Sequence, residues 1–168
     1  SMGGPVAVDA ASKLGDRVKA VIGIDTLKNV GAEPMSLDAA RNAWVPFKDD
    51  FKNSIALFVR NSFFIETSSP LLVNRVLSDM ASADPKIALS AGAGLLSYNT
   101  PRAVRKIANI PLTLINAPED PTKIEVLEQV HGNHNVIIIP ETGHFVMMEK
   151  PVQFNATLHD EIERLIAK

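Results

Sequence analysis

PETGHFVMMEKPVQFN, residues 140–155, joins a segment with the pattern of a strand to one with the pattern of a helix. NVIIIPE (135–141) is an apolar run rich in β-branched side chains, which predicts a buried strand. Pro151 stands where the first turn of a helix needs no amide donor. The apolar residues of that helix fall on one stripe, namely Phe154, Leu158, Ile162, Leu165 and Ile166. His144 is therefore predicted to lie in a loop between a strand and the closing helix.

Two earlier segments also have the composition of buried strands. VKAVIGID (18–25) and IPLTLINA (110–117) are nearly unbroken apolar runs, as expected for strands covered on both faces of a parallel sheet. Helices are predicted over 3–14, where Val6, Ala7, Ala10, Ala11 and Leu14 have helical spacing, and over about 122–131. This alternation predicts an α/β fold with a parallel sheet flanked by helices.

The middle of the chain has a different character and predicts a helical insertion. Helical patterns cover 38–52, 53–64, 70–82, 84–97 and 101–108, and Pro34, Pro70, Pro85 and Pro101 stand near their starts. We therefore divide the chain into a core segment (1–26), a helical cap (27–108) and a second core segment (109–168). The cap holds most of the aromatic residues, for which packing between helices is the simplest interpretation.

Composition excludes several classes of function. With 17 basic and 19 acidic residues and a net charge of −2, the chain has no charge pattern for nucleic acid. Cysteine is absent, so disulfides and thiolate metal sites are excluded. We find no motif for a nucleotide cofactor or a metal, so no cofactor is expected. No apolar run is long enough to span a membrane, and no secretory signal is present, so we expect a cytoplasmic location.

The first residues, SMGGPVA, have the pattern of a tight turn that leads into a helix. They resemble the end of the G-x-S-x-G turn that carries the nucleophile of α/β-hydrolases. On this resemblance Ser1 is the nucleophile, Gly3 avoids a collision at the turn, and Gly4 lets the helix lie close to the sheet. The alternative is that Ser1 and Met2 are additions left by expression of the protein.

A second segment, LINAPEDP (114–121), resembles the family's turn that presents the triad acid after a strand. Asp120 occupies the acid position, although Ala117 stands where glycine is commoner. Glu119 is a rival carboxylate. Asp25 is another rival, because some family members take the acid from the end of the preceding strand.

The third segment is the stretch 140–155, and its resemblance is the most specific. The family pattern is Gly-His, apolar residues, Glu-Lys-Pro and then Phe-Asn, so His144 matches the catalytic base. The other histidines, His131, His134 and His159, are expected on polar surfaces in contact with solvent. The order serine, acid, histidine along the chain is also that of the family.

The resemblance implies that the chain is incomplete. The family's sheet has more strands than the three predicted here, and the first of them would have an exposed edge. We therefore expect that a missing amino-terminal half, or a second copy of the chain, completes the sheet.

The function implied by the resemblance is serine-dependent hydrolysis. The substrate would be a small or medium hydrophobic ester, or a compound with a cleavable C–C bond, and the Met2 amide would bind the oxyanion. Side chains proposed to line the substrate pocket are Trp44, Phe47, Phe63, Phe64, Phe145 and Met147. The alternatives are a ligand-binding module without turnover, or an inactive fragment.

Overall fold

The computed structural model describes residues 1–167 and divides the chain into two compact units. The core unit comprises Ser1–Ala32 and the segment that begins at Asn99, and the helical unit comprises Glu33–Tyr98. The helical unit covers a shorter stretch of the chain than the insertion predicted over 27–108. Lys168, the last residue of the predicted segment 109–168, lies outside the described residues.

The core unit is built on a parallel sheet of three strands in the order β1–β2–β3. The strands are β1 (Val21–Ile24), β2 (Leu112–Asn116) and β3 (His134–Ile138). Gly23 pairs with Leu114, which in turn pairs with Val136. Every residue of β2 is buried because this strand lies between the other two. The predicted α/β fold with a parallel sheet is confirmed.

The core unit also contains helices, and the second unit consists of helices joined by turns and irregular segments. In chain order they are α1 (Gly3–Leu14), α2 (Leu37–Ala43), α3 (Phe51–Phe63), α4 (Pro70–Ala81), α5 (Pro85–Leu96), α6 (Thr100–Arg105), α7 (Ile124–Val130), α8 (Val146–Glu149) and α9 (Pro151–Ile166). Short 3-10 helices cover Gly15–Arg17 and Val45–Phe47. No helix in residues 1–167 is long and apolar enough to cross a membrane.

The prediction of one helix over 38–52 is wrong, because α2 ends at Ala43. Pro46 lacks an amide donor and disfavours helical backbone at Val45, so the helix cannot continue through them. The chain forms a 3-10 helix here, and α-helical structure resumes at α3. The Asp50 side chain caps α3 by accepting a hydrogen bond from the Asn53 amide. The other helices of the unit start close to the predicted prolines.

The buried face of α1 also differs from the prediction. Val6 and Leu14 are exposed, whereas Gly4, Val8 and Ala11 are buried. These three residues are spaced by four and three positions and form the face that packs inward. The helix itself is confirmed, but its apolar stripe is rotated from the one predicted.

The apolar core beside β3 is completed by the closing helix. Ile115, Ala117, Ile139, Val146 and Phe154 form one buried cluster. Of the stripe predicted on α9, Phe154 is buried and Leu158 packs against the same cluster, but Ile162 and Ile166 are exposed. The last turns of α9 therefore contribute less apolar burial than the sequence predicted.

A buried carboxylate also ties α9 to the sheet. Glu161 accepts hydrogen bonds from the Thr113 hydroxyl on β2 and from the Arg164 guanidinium. The bond from Arg164 is the main cause that lowers the pKa of Glu161 to about 2; burial opposes it and the Thr113 bond assists it. Glu161 is thus held ionised inside the core unit.

Candidate active site

The loops that leave the three strands meet at one edge of the sheet, because the strands are parallel. Four non-glycine residues with positive φ lie in these loops: Asp25 (44°), Leu27 (53°), Asp120 (50°) and Glu141 (55°). Such backbone is uncommon outside glycine and is found most often where surrounding contacts enforce it. This edge is therefore the best candidate for a functional site in the core unit.

A buried carboxylate–imidazole pair occupies this edge. His144 Nδ1 lies 2.5 Å from Asp25 Oδ2, and the two side chains are only 15% and 3% exposed. An ionised carboxylate can only accept hydrogen bonds, so Nδ1 carries the proton in the neutral ring. The basic lone pair of His144 is then on Nε2, as a general base requires.

The other oxygen of Asp25 is also fully engaged. Asp25 Oδ1 accepts hydrogen bonds from the Ala117 amide at 2.7 Å and from Lys28 Nζ at 2.8 Å. Burial raises the pKa of the Asp25 carboxyl, but the hydrogen bonds that it accepts, first from His144 and then from Lys28, outweigh burial and lower the pKa below its ordinary value. Asp25 is therefore a fixed anion.

Asp120, the acid predicted first, is placed differently. It is exposed, and in residues 1–167 no hydrogen bond or ion pair joins its side chain to His144. The backbone of its loop is held instead by Lys28, whose Nζ donates to the Glu119 carbonyl at 2.6 Å. The expected pairing of Asp120 with His144 is thus replaced by a pairing with Asp25, the rival carboxylate at the end of β1.

Ser1 lies beside the end of β1. Its carbonyl accepts hydrogen bonds from Thr26 Oγ1 at 2.6 Å and from the Gly4 amide at 3.0 Å. The amino group of Ser1 donates to the Ile24 carbonyl at 3.3 Å. No hydrogen bond in residues 1–167 joins the Ser1 hydroxyl to His144. Met2 is 46% exposed and precedes the first turn of α1, where helix amides point outward.

The glycine requirement at this turn is confirmed for Gly4 alone. A Cβ built on Gly4 would lie 2.2 Å from Thr26 Oγ1, so any side chain would displace the residue that follows Asp25. Nothing in the described residues lies within 4 Å of a Cβ built on Gly3. The close approach of α1 to the strand end therefore depends on Gly4, and the collision expected at Gly3 is not found.

One amide side chain bridges two of the loops at this edge. Buried Asn116, the last residue of β2, accepts from the Thr26 amide at 3.0 Å and donates to the Thr26 carbonyl at 3.1 Å. It also donates to Thr122 Oγ1 at 2.8 Å. The loops after β1 and β2 are therefore held together through Asn116 as well as through Lys28.

Some of the predicted pocket residues lie in the core unit and the others lie in the helical unit. In the core unit, Phe145 packs edge-on against the His144 ring with centroids 5.1 Å apart, and Met147 packs against the apolar core cluster. In the helical unit, Trp44 and Phe47 pack at 4.9 Å, and Phe63 joins the same aromatic cluster through Phe58. Phe64 lines a cavity of about 450 Å³ in that unit.

The three other histidines were expected in contact with solvent, and for His131 this is wrong. His131 is buried, and its Nε2 donates to the Ile107 carbonyl at 3.0 Å. His134 is part-buried and its Nδ1 donates to the His131 carbonyl at 2.6 Å, while His159 is exposed. Within residues 1–167, no group of three or more potential ligand side chains is arranged to hold a metal ion.

Lys28 is the residue at this edge that sequence reasoning missed. The only sequence signal for this role is the position of Lys28, three residues after an aspartate at the end of a strand. Lysine in loops is usually solvated, so the signal has little specificity. Its role depends on contacts with residues more than ninety positions away.

Comparison with known proteins gives matches in structure alone. No family model matches the sequence, and no curated protein matches it. A thermophilic esterase from Thermogutta terrifontis superposes with a TM-score of 0.79 at 20% identity, over 98% of this chain and 63% of the other. The enol-lactonase from Burkholderia xenovorans LB400 gives 0.78 at 16% identity, over 100% of this chain and 64% of the other.

A bromoperoxidase from Bacillus anthracis gives a TM-score of 0.77 at 19% identity, over 97% of this chain and 65% of the other. This chain therefore has a partial α/β-hydrolase fold, as the sequence predicted. It spans less than two thirds of the length of each of these structures.

Proposed function

We propose that this chain carries the nucleophile, base and acid of a serine hydrolase, with Ser1, His144 and Asp25 in these roles. The observation that carries the proposal is the buried Asp25–His144 pair at the carboxyl edge of a parallel sheet. In open α/β sheets this edge is where ligands bind. A carboxylate that fixes the tautomer of a histidine is also the arrangement that activates a serine hydroxyl.

The chemistry follows from these roles. Ser1 Oγ attacks the acyl carbon while His144 Nε2 takes the hydroxyl proton, and Asp25 stabilises the imidazolium that forms. The Met2 amide donates to the oxyanion. The bond to the leaving group then breaks, and His144 returns the proton to that group. Water hydrolyses the acyl-enzyme by the same steps, with His144 again as base.

The proposed substrate is a small or medium hydrophobic ester, with hydrolysis of a C–C bond as the alternative. Support for ester chemistry comes from the names of the similar structures, which include an esterase and an enol-lactonase. Support for an apolar acyl group comes from the Phe145 ring, which packs directly against His144. Trp44, Phe47 and Phe63 belong to an aromatic cluster that packs within the helical unit.

The complete enzyme is proposed to need more of the fold than this chain supplies. β1 pairs with β2 and lies at the edge of the sheet. A free strand edge presents unpaired backbone groups, which another strand can satisfy. We propose that an amino-terminal half of the fold, or a second copy of this chain, pairs with that edge.

The test is hydrolysis of a short-chain p-nitrophenyl ester by the protein, alone and with the rest of the fold supplied. His144→Ala is expected to abolish turnover, whereas His159→Ala, at an exposed histidine of α9, is the matched control and should leave it unchanged. Labelling of Ser1 by a fluorophosphonate probe should depend on His144 in the same way. Folded protein that neither turns over the ester nor reacts with the probe would point to a ligand-binding module instead.

A further inference from the structure

The geometry points to Lys28 as the positioning residue that makes Asp25, and not Asp120, the partner of His144. This inference rests on the proposed function for its kinetic consequences only. Its structural content is the arrangement of three hydrogen bonds around Lys28. One joins Lys28 to Asp25 within the loop after β1, and two join that loop to the loop after β2.

Lys28 holds the loop that carries Asp120. Its Nζ donates to the Glu119 carbonyl at 2.6 Å, and its own carbonyl accepts from the Lys123 amide at 2.8 Å. The two contacts lie on either side of Asp120 along the chain. They fix the loop backbone in the conformation in which the Asp120 carboxylate is exposed.

Lys28 also orients Asp25. Its Nζ and the Ala117 amide both donate to Oδ1, at 2.8 Å and 2.7 Å, so Oδ2 is the oxygen presented to His144. The Lys28 side chain is only 13% exposed, which strengthens its interaction with the carboxylate relative to a surface pair. Without this cation a buried aspartate would keep two partners in place of three and could rotate.

The charges at the site are arranged around Asp25. Its carboxylate lies between the Lys28 ammonium and His144, and the hydrogen bonds from both help to lower its pKa. Lys28 therefore helps to hold Asp25 as the anion to which His144 Nδ1 donates.

The kinetic test compares Lys28→Met, Lys28→Gln and Lys28→Arg in the complete, folded enzyme. Lys28→Met should lower kcat about 10-fold to 100-fold with little change in KM, because only the orientation of the base is disturbed. Lys28→Arg should restore most of kcat, and Lys28→Gln, which retains a donor for Glu119 without charge, should restore it only in part.

Matched controls separate positioning from simple stability. Lys123→Met removes a neighbouring lysine whose backbone alone takes part in the contact, and it should leave kcat unchanged. Circular dichroism identifies any variant that fails to fold. If Lys28→Met does not fold, the Lys28→Gln and Lys28→Arg pair carries the test. An unchanged kcat in folded Lys28→Gln would overturn the inference.

A readout that needs no turnover distinguishes this inference from the proposed function. The proton between His144 Nδ1 and Asp25 should give a downfield proton NMR signal, lost in Asp25→Asn and shifted or broadened in Lys28→Met. A signal that is identical with and without Lys28 would contradict the positioning role. If the signal differs between the unmodified protein and Lys28→Met but the protein has no hydrolase activity, the positioning role is supported and the proposed function is rejected.

Discussion

The loops after β1 and β2 offer a direct comparison, because each carries an aspartate with left-handed backbone at the same edge of the sheet. Asp25 has φ of 44° and Asp120 has φ of 50°, yet Asp25 is buried with three hydrogen-bond partners and Asp120 is exposed. Both aspartates therefore lie in a loop after a strand with positive φ, although Asp25 directly follows β1 and Asp120 lies four residues beyond the end of β2. What differs is the set of donors that surrounds the carboxylate, and this decides which one can orient a histidine.

The largest expected effect comes from removing each carboxylate in turn. Asp25→Asn should lower kcat about a thousandfold to ten-thousandfold, the loss expected when the triad acid can no longer fix the histidine tautomer. Asp120→Asn should change kcat by less than about threefold, because it removes only an exposed charge. Both effects are measured as kcat in steady-state ester hydrolysis. A larger loss of kcat in Asp120→Asn than in Asp25→Asn would contradict the difference inferred between the two loops.

A second effect tests whether the loop after β1 needs the close approach of α1. Gly4→Ala should lower the free energy of unfolding by about 1–3 kcal/mol, because its Cβ would overlap Thr26 beside Asp25. Gly3→Ala is the control, since nothing surrounds that position in the described residues, and it should raise stability by up to about 1 kcal/mol. Urea unfolding measures both, and equal effects would show that the contact with Thr26 is unimportant.

A third, smaller effect uses a carboxylate that is buried away from the site. The pKa of Glu161 is lowered to about 2 from an ordinary value of 4.5, so its ionised form stabilises the fold above about pH 4.5 and this stabilisation is lost as pH falls towards 2. Glu161→Gln should therefore cost about 1–3 kcal/mol at pH 7 and progressively less below pH 4.5.

Glu163→Gln, at an exposed position of the same helix, is the control for Glu161 and should have little effect at either pH. The measurement is the free energy of unfolding of both variants and of the unmodified protein from pH 7 to pH 3. A cost for Glu161→Gln that does not fall with pH would show that the ionised carboxylate is not what stabilises this contact.

The parts of the fold that the sequence predicted are those set by local pattern. The three apolar segments became the strands, and the prolines at 70, 85 and 151 begin helices. The residues around His144 predicted that it lies in a loop after a strand, and it does. The same local reasoning failed at Pro46, where the weight of one proline against a helical pattern was underestimated, and at His131, whose helix end is buried against the Ile107 carbonyl.

The choice between the two acids could not be made from the sequence. Both aspartates follow a strand, and both residue patterns allow left-handed backbone. The deciding contacts join Lys28 to Glu119 and Asp25 to Ala117, residues more than ninety positions apart. Such contacts exist only once the sheet has formed, so the general resemblance favoured Asp120, whereas the structure pairs Asp25 with His144.

The bridge made by Asn116 has a consequence for how substitutions combine. Because this amide holds Thr26 and Thr122 together, the loops that carry the two aspartates share one buried hydrogen-bond network. Substitutions within such a network are generally not additive. Moving the acid from one loop to the other would therefore be an epistatic change, in which the benefit of a carboxylate in one loop depends on what the other loop already contains.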